Sequence, residues 1–200
     1  MRLYLVQGCP FAHRASFALQ EKRIAFESRF FQQGKRPPEL EELGPNAKSP
    51  TLFDGDVRVW DSQIVLEYLE DRYPDLPLLP GHADLRARAR MLAALVAQEL
   101  GAHVGTAALE TIYKPQPDEA KVADARRGFI AGLDVWDQRL AGREFLVGDA
   151  LSLADVTLYT VFPSMERLTG VQIPIGHTHL RAWHDRIASR PSAQLLQPTC

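Results

Sequence analysis

Cys9 is the residue of this chain best placed by its neighbours to do chemistry. It follows the apolar run 3–6 and directly precedes a segment with helical spacing whose first residue is Pro10. The N–H groups at a helix start lack intrahelical partners, and the dipole is positive there, so an anion is favoured. A thiol at such a position tends towards the thiolate, the form that attacks disulfides and electrophiles. The plainer reading is that a free cysteine packs as a small buried hydrophobe. A second element is Lys48-Ser49-Pro50-Thr51-Leu52. A proline just before a strand marks a tight turn, and a minority of X-Pro bonds are cis. A cis Ser49–Pro50 bond turns the N–H and C=O of Ser49 sideways, where an extended peptide can pair with them as one more strand. An ordinary trans turn is the plainer alternative. The third element, Asp61-Ser62, opens another helical segment. Its amides form an anion site to which the Ser62 hydroxyl adds a donor, unless Asp61 or Ser62 simply caps the helix.

Short segments must position these groups. Residues 2–6 read as a buried strand. Residues 10–22 read as a helix with Phe11, Ala15, Ala18 and Leu19 on one face. Pro10 suits the first turn, where its missing N–H costs nothing. Residues 26–31 read as a second strand, so a right-handed crossover with parallel strands follows. A weak helix is expected between Pro37/Pro38 and Gly44. Residues 51–53 and 57–60 flank Asp54-Gly55-Asp56, a hairpin signal. Residues 62–73 are helical again, with Val65, Leu66, Leu69 and Tyr73 as the apolar stripe.

Prolines 74, 77 and 80 then interrupt the chain, which cannot continue a helix through them. We expect one domain over 1–76, a linker over 77–83 and a second domain over 84–200. The second half reads as helical. Residues 81–114 hold one long or bent helix, and a second covers 117–140. A third starts at Ser152-Leu153-Ala154-Asp155, where Ser152 and Asp155 can cap each other's N–H groups. A last helix covers 180–189. Trp60, Trp136 and Trp183 are expected in the core or at a domain interface.

Composition excludes several classes. The 200 residues are 46% hydrophobic and 24% charged, with a net charge of −2, so a disordered chain is not expected. Up to Pro80 there are 10 basic and 12 acidic residues, and 13 of each beyond it. Neither half has the basic excess of an electrostatic nucleic-acid binder. The apolar run near the start is too short for a signal peptide or a membrane span, so a cytoplasmic protein is expected. Cys9 and Cys200 are the only cysteines, too few for a disulfide framework or a thiolate zinc site. His177, His179 and His184 lack the i, i+4 spacing of a helical zinc pair, and no metal is expected. His13, four residues after Cys9, reaches either the thiolate or solvent.

Together the motifs resemble the glutathione transferase superfamily over essentially the whole chain. Cys9-Pro10-Phe11-Ala12-His13-Arg14 is similar to the active-site start of its cysteine-type, omega-like class. Lys48-Ser49-Pro50-Thr51-Leu52 resembles the family's cis-proline loop, Asp61-Ser62 its acid-serine pair, and Ser152-Leu153-Ala154-Asp155 its C-terminal capping box. The resemblance implies an α+β thioredoxin-like N-terminal domain, βαβ-αββα with a mixed four-stranded sheet, followed by an all-α domain. It implies that Cys9 replaces the tyrosine or serine with which other classes activate glutathione. Ser49, beside Pro50, would pair its main chain with the cysteinyl part of glutathione. Ser62 and Asp61, with Gln63 assisting, would hold the γ-glutamyl carboxylate. Phe11 would line the pocket, and Lys48 or Arg36 would meet the glycyl carboxylate. Arg14 is expected to anchor its helix. Ser49 stands where valine or isoleucine is usual, Asp61 where glutamate or glutamine is commoner, and Ala12 where dithiol relatives carry a second cysteine.

The resemblance implies a cytoplasmic, homodimeric detoxification enzyme with glutathione as cosubstrate, using Cys9 for thiol transfer, deglutathionylation or dehydroascorbate reduction. Two alternatives stay open. One is conjugation or isomerisation of a small electrophile. The other is a non-catalytic binding protein, which would have no use for Cys9, Ser62 or the Pro50 loop.

Overall fold

The computed structural model describes residues 1–32 and 34–194. It comprises two compact units, Met1–Pro77 and Leu78–Cys200; Cys200 itself lies outside the described residues.

The first unit is built on one mixed sheet. Strands β1 (Arg2–Val6), β2 (Glu27–Phe31), β3 (Thr51–Asp54) and β4 (Val57–Trp60) lie in the order β2-β1-β3-β4. β1 and β2 are parallel, joined by helix α1 (Pro10–Glu21), and β3 runs antiparallel to both β1 and β4. Period-2 alternation separates Leu3 and Leu5, both buried, from Tyr4, which packs with Phe53 and Leu40. Leu40 belongs to helix α2 (Pro38–Glu41). Helix α3 (Ser62–Arg72) packs on α1 and on the sheet. The β3–β4 turn is Gly55-Asp56, with Gly55 at φ +57°, a conformation that two-residue hairpins require. At the far end of α1, Lys22 Nζ donates to Glu70 Oε1 (2.7 Å) and to Leu76 O (2.9 Å). Trp60 is exposed rather than in the core.

The second unit begins inside the proline-rich segment. Leu78 and Leu79 are buried, and the Leu153 N–H donates to Leu78 O at 2.8 Å. Of the two readings for residues 81–114 the bent one holds: helices α4 (Ala83–Glu99) and α5 (Gly101–Ala108) and a π-turn, Leu109–Tyr113, follow one another, and the chain bends by 42° at the α4–α5 break. Helix α6 (Glu119–Arg139) is capped by Asp118, which accepts from Ala120 N and Lys121 N. Helix α7 (Leu153–Thr169) carries the reciprocal Ser152–Asp155 box and ends at Gly170. It is buried along most of its length, so its hydroxyls are satisfied internally. Thr157 donates to Leu153 O (2.7 Å), Thr160 to Val156 O (3.0 Å) and Ser164 to Thr160 O (2.9 Å). Helix α8 (Thr178–Ala188) buries Leu180, Trp183 and Ile187, and a short α9 (Pro191–Gln194), absent from the sequence reading, follows. No single described helix is long and apolar enough to cross a membrane.

His184 on α8 lies against the rings of Tyr159 (5.2 Å between centroids) and Phe162 (5.5 Å). Burial lowers its pKa below the ordinary 6.5, with Arg181 adding to the effect and Asp185 and Glu166 opposing it. The folded protein therefore resists a proton that the unfolded chain accepts. Stability is full above the unfolded value of 6.5 and falls as pH drops from there through the folded value. Thermal unfolding between pH 7.5 and 5 is expected to show this loss, and His184→Gln should flatten it. An unchanged slope in the variant would mean that other groups carry the acid sensitivity.

Candidate active site

β1 ends at Val6 and a turn through Gly8, at φ +77°, delivers Cys9 to the start of α1. That positive φ is a conformation glycine adopts without a Cβ penalty. Cys9 N donates to Val6 O (3.0 Å), and Cys9 O accepts from Ala12 N (3.1 Å). Cys9 is thus the N-cap residue with Pro10 in the first turn, and its side chain caps nothing. The residue is 2% exposed. Its Sγ lies 3.9 Å from the carbonyl oxygen of Ser49, a long contact.

Ser49 reaches Cys9 for a reason visible in the strand register. β3 pairs with β1 only as far as Thr51 opposite Tyr4, so Val6, two residues on, has no β3 carbonyl opposite it. Ser49 Oγ substitutes, accepting from Val6 N at 2.9 Å. The serine that stands where valine or isoleucine is usual therefore has a side-chain task as well as a backbone one. The Ser49–Pro50 bond is cis, as the loop motif implies. The loop is tied again where Thr51 Oγ1 donates to Lys48 O (2.6 Å). The Lys48 side chain is exposed.

At the start of α3 both readings of Asp61-Ser62 apply, to different residues. Asp61 is the cap: Oδ1 accepts from Gln63 N (2.9 Å) and Ile64 N (3.4 Å). Its backbone sits at φ +71°, ψ 125°, a region that costs a non-glycine residue about 1–3 kcal/mol and is retained where a site needs it. Ser62 is 5% exposed, and its hydroxyl oxygen accepts from Arg14 Nη1 at 3.4 Å. That leaves the Ser62 proton available to an anion.

Arg14 anchors its helix, as expected, and its partner lies on α3. It lies 3% exposed on the buried face of α1, with its guanidinium carbon 5.5 Å from the Phe11 ring centroid. It does anchor its helix, yet it reaches Ser62 48 positions away. Burial brings its pKa down to about 10, while the charges of Asp61 and Cys9 pull it up, so it remains a cation at neutral pH. A usable signal was present: Arg14 falls three residues after Phe11 and four before Ala18, on the apolar stripe. Arg36 is tied to the backbone through one of its nitrogens. Its Nη2 donates to Leu40 O and to Gly44 O (2.7 Å), lacing the α2 loop, while its buried Nε has no partner. Among the described residues no group of three or more histidines, cysteines or carboxylates could hold a metal ion.

The geometry therefore gathers a thiol at one helix start, a backbone carbonyl beside it, and a hydroxyl at a second helix start backed by a buried cation. Comparison with known proteins follows the same lines. Residues 8–72 match the model for the glutathione S-transferase N-terminal domain, and residues 119–186 that for the C-terminal domain. The chain is 29% identical over 195 residues to glutathione S-transferase F10 of Arabidopsis thaliana, covering 88% of this chain and 87% of that protein. It is 25% identical over 194 residues to a stringent starvation protein A homolog of Histophilus somni, covering 96% and 87%. A solved glutathione S-transferase from Methylobacterium radiotolerans, in complex with glutathione sulfonate, superposes with a TM-score of 0.82 at 28% identity, covering 100% of this chain and 95% of that one.

Proposed function

The chain belongs to the glutathione S-transferase superfamily, and we propose that it is a glutathione-dependent thiol transferase in which Cys9 is the nucleophile. The observation that carries the reading is the placement of Cys9 as the N-cap of α1 with its Sγ beside the Ser49 carbonyl. In that reading the γ-glutamyl carboxylate sits at the start of α3, on the Ser62 hydroxyl. The cysteinyl backbone pairs with Ser49 beside Pro50, Phe11 lines the pocket, and Lys48 meets the glycyl carboxylate.

The chemistry runs in two displacements. The Cys9 thiolate attacks the glutathione sulfur of a mixed disulfide, forming a Cys9–glutathione disulfide and expelling the other thiol as its thiolate, which takes a proton from water. Ala12 occupies the position from which a second cysteine would resolve the adduct. The thiolate of a second glutathione therefore attacks the glutathione sulfur, releasing oxidised glutathione and regenerating the Cys9 thiolate. The cycle is ping-pong. Deglutathionylation and dehydroascorbate reduction fall within the same thiol chemistry. A cytoplasmic homodimer acting in detoxification completes the proposal, on family resemblance.

Calorimetry with reduced glutathione tests the cradle. Ser62→Ala is expected to weaken binding by about 1.5–3 kcal/mol, the range for hydrogen bonds to charged groups. Absence of binding by the unaltered protein would move it to the non-catalytic class.

A further inference from the structure

The side chain of Ser49 makes a bond that the strand register would give to a main chain. β3 runs antiparallel to β1, with Arg2 opposite Phe53 and Tyr4 opposite Thr51. Two residues further along β1, the same register brings Val6 opposite Ser49. A continuing ladder would join these two through their own N–H and C=O groups. It does not continue. Val6 O accepts from Cys9 N (3.0 Å), and Val6 N donates to Ser49 Oγ (2.9 Å). Both main-chain groups of Val6 are thereby occupied, and Val6 is 5% exposed, so water has little access to them. Both main-chain groups of Ser49 are left over. Among the described residues its N–H has no partner, and its carbonyl oxygen has only the long contact from Cys9 Sγ (3.9 Å).

We infer that Ser49, through its hydroxyl, is a positioning residue for disulfide exchange at Cys9: by taking the Val6 N–H, the hydroxyl keeps the Ser49 main chain free for the peptide backbone of the incoming ligand. This rests on the proposed glutathione reading of the site. An extended peptide joins a sheet edge through main-chain N–H and C=O groups, so those groups must not be committed to the neighbouring strand. Without the hydroxyl, the buried Val6 N–H would be unpaired, which favours any acceptor within reach. The acceptor in register is the carbonyl of residue 49 itself. Its turn towards Val6 would withdraw it from the ligand and from Cys9 Sγ together. Val6 also fixes the two parts of the site to each other, since its N–H holds the Ser49 loop and its C=O holds the Cys9 turn. A misplacement of about 1 Å can cost a positioned displacement about 10²-fold. The valine or isoleucine usual at this position has no acceptor to offer, so packing must do there what the hydroxyl does here.

The test is a cycle between residue and disulfide. The rate of Cys9 modification is measured with oxidised glutathione and with bis(2-hydroxyethyl) disulfide, which has the reacting bond and no peptide groups. In each case the Cys9 thiolate attacks one sulfur, forms a mixed disulfide and expels the other half as a thiolate. Mass spectrometry after timed quenching, mapped to the peptide containing Cys9, follows the adduct in the unaltered protein, Ser49→Ala and Ser49→Thr. The unaltered protein is expected to prefer oxidised glutathione by about 10²-fold. Ser49→Ala should lower that preference by about 10-fold, and any change in the thiol itself divides out of the ratio. Ser49→Thr, which keeps the hydroxyl, should restore most of it. An undiminished preference in Ser49→Ala overturns the assignment, and so does a ratio in Ser49→Thr as low as that in Ser49→Ala. If the unaltered protein reacts no faster with oxidised glutathione than with the hydroxyethyl compound, the glutathione reading fails and the assignment with it.

Discussion

Cys9→Ser is expected to abolish glutathione-dependent thiol transfer, a loss of at least about 10³-fold, while leaving the fold and glutathione binding in place. The reason is chemical before it is structural. A serine oxygen cannot form the mixed disulfide through which the proposed cycle passes. The substitution is sterically mild: the hydroxyl is smaller than the thiol it replaces and keeps the Ser49 carbonyl, 3.9 Å from Sγ, as an acceptor within reach of a small shift. Ser49 and Ser62, the residues proposed to hold the ligand, are fixed by contacts that do not involve the sulfur. A coupled assay with a glutathione mixed disulfide reads the turnover, and calorimetry reads the binding. Full turnover in the variant would shift the function to conjugation of small electrophiles, with Cys9 only a neighbour of the glutathione sulfur.

Asp155→Ala is expected to destabilise the protein by about 3–5 kcal/mol, which exceeds the 0.5–2 kcal/mol of a lost helix cap. The carboxylate is fully buried and accepts four hydrogen bonds. Oδ1 takes Leu146 N (2.9 Å) and Trp183 Nε1 (2.9 Å); Oδ2 takes Ser152 N (2.9 Å) and Ser152 Oγ (2.7 Å). Alanine would strand all four donors where water cannot reach them, and each unsatisfied buried group costs about 1–3 kcal/mol before relaxation. For a chain of this size the melting temperature should fall by roughly 10 °C. Turnover measured well below that transition should be unaffected. An unchanged melting temperature with lost turnover would instead make Asp155 a catalytic acid.

The contrast between a cap and a four-donor hub shows where reading the chain stops. Local signals were legible: the strand-helix-strand of β1, α1 and β2, the Gly55 hairpin, the Ser152–Asp155 box and the Ser49-Pro50 loop all come from residues within a few positions of one another. The two further donors on Asp155, at Leu146 and Trp183, are 9 and 28 positions away, and no periodicity announces them. A bend in residues 81–114 was one of two readings, but the position of the break between α4 and α5 was hidden. Residues 83–108 are rich in alanine, leucine and arginine, which favour helix throughout, so packing rather than propensity decides where the helix bends. Within the candidate site, the placements of Cys9, Ser49, Pro50 and Ser62 were readable because helix starts and proline turns carry local marks. Arg14 and Arg36 were harder, since what an arginine holds depends on which distant groups the fold brings to it.

The most direct measurement of the Cys9 mechanism is intact mass after incubation with oxidised glutathione, followed by proteolytic mapping, which separates Cys9 from Cys200. The expected result is one glutathione per chain on the peptide containing Cys9, removed on adding reduced glutathione and absent in Cys9→Ser. A protein that stays unmodified at Cys9 while binding glutathione in calorimetry would contradict the thiol-transfer mechanism.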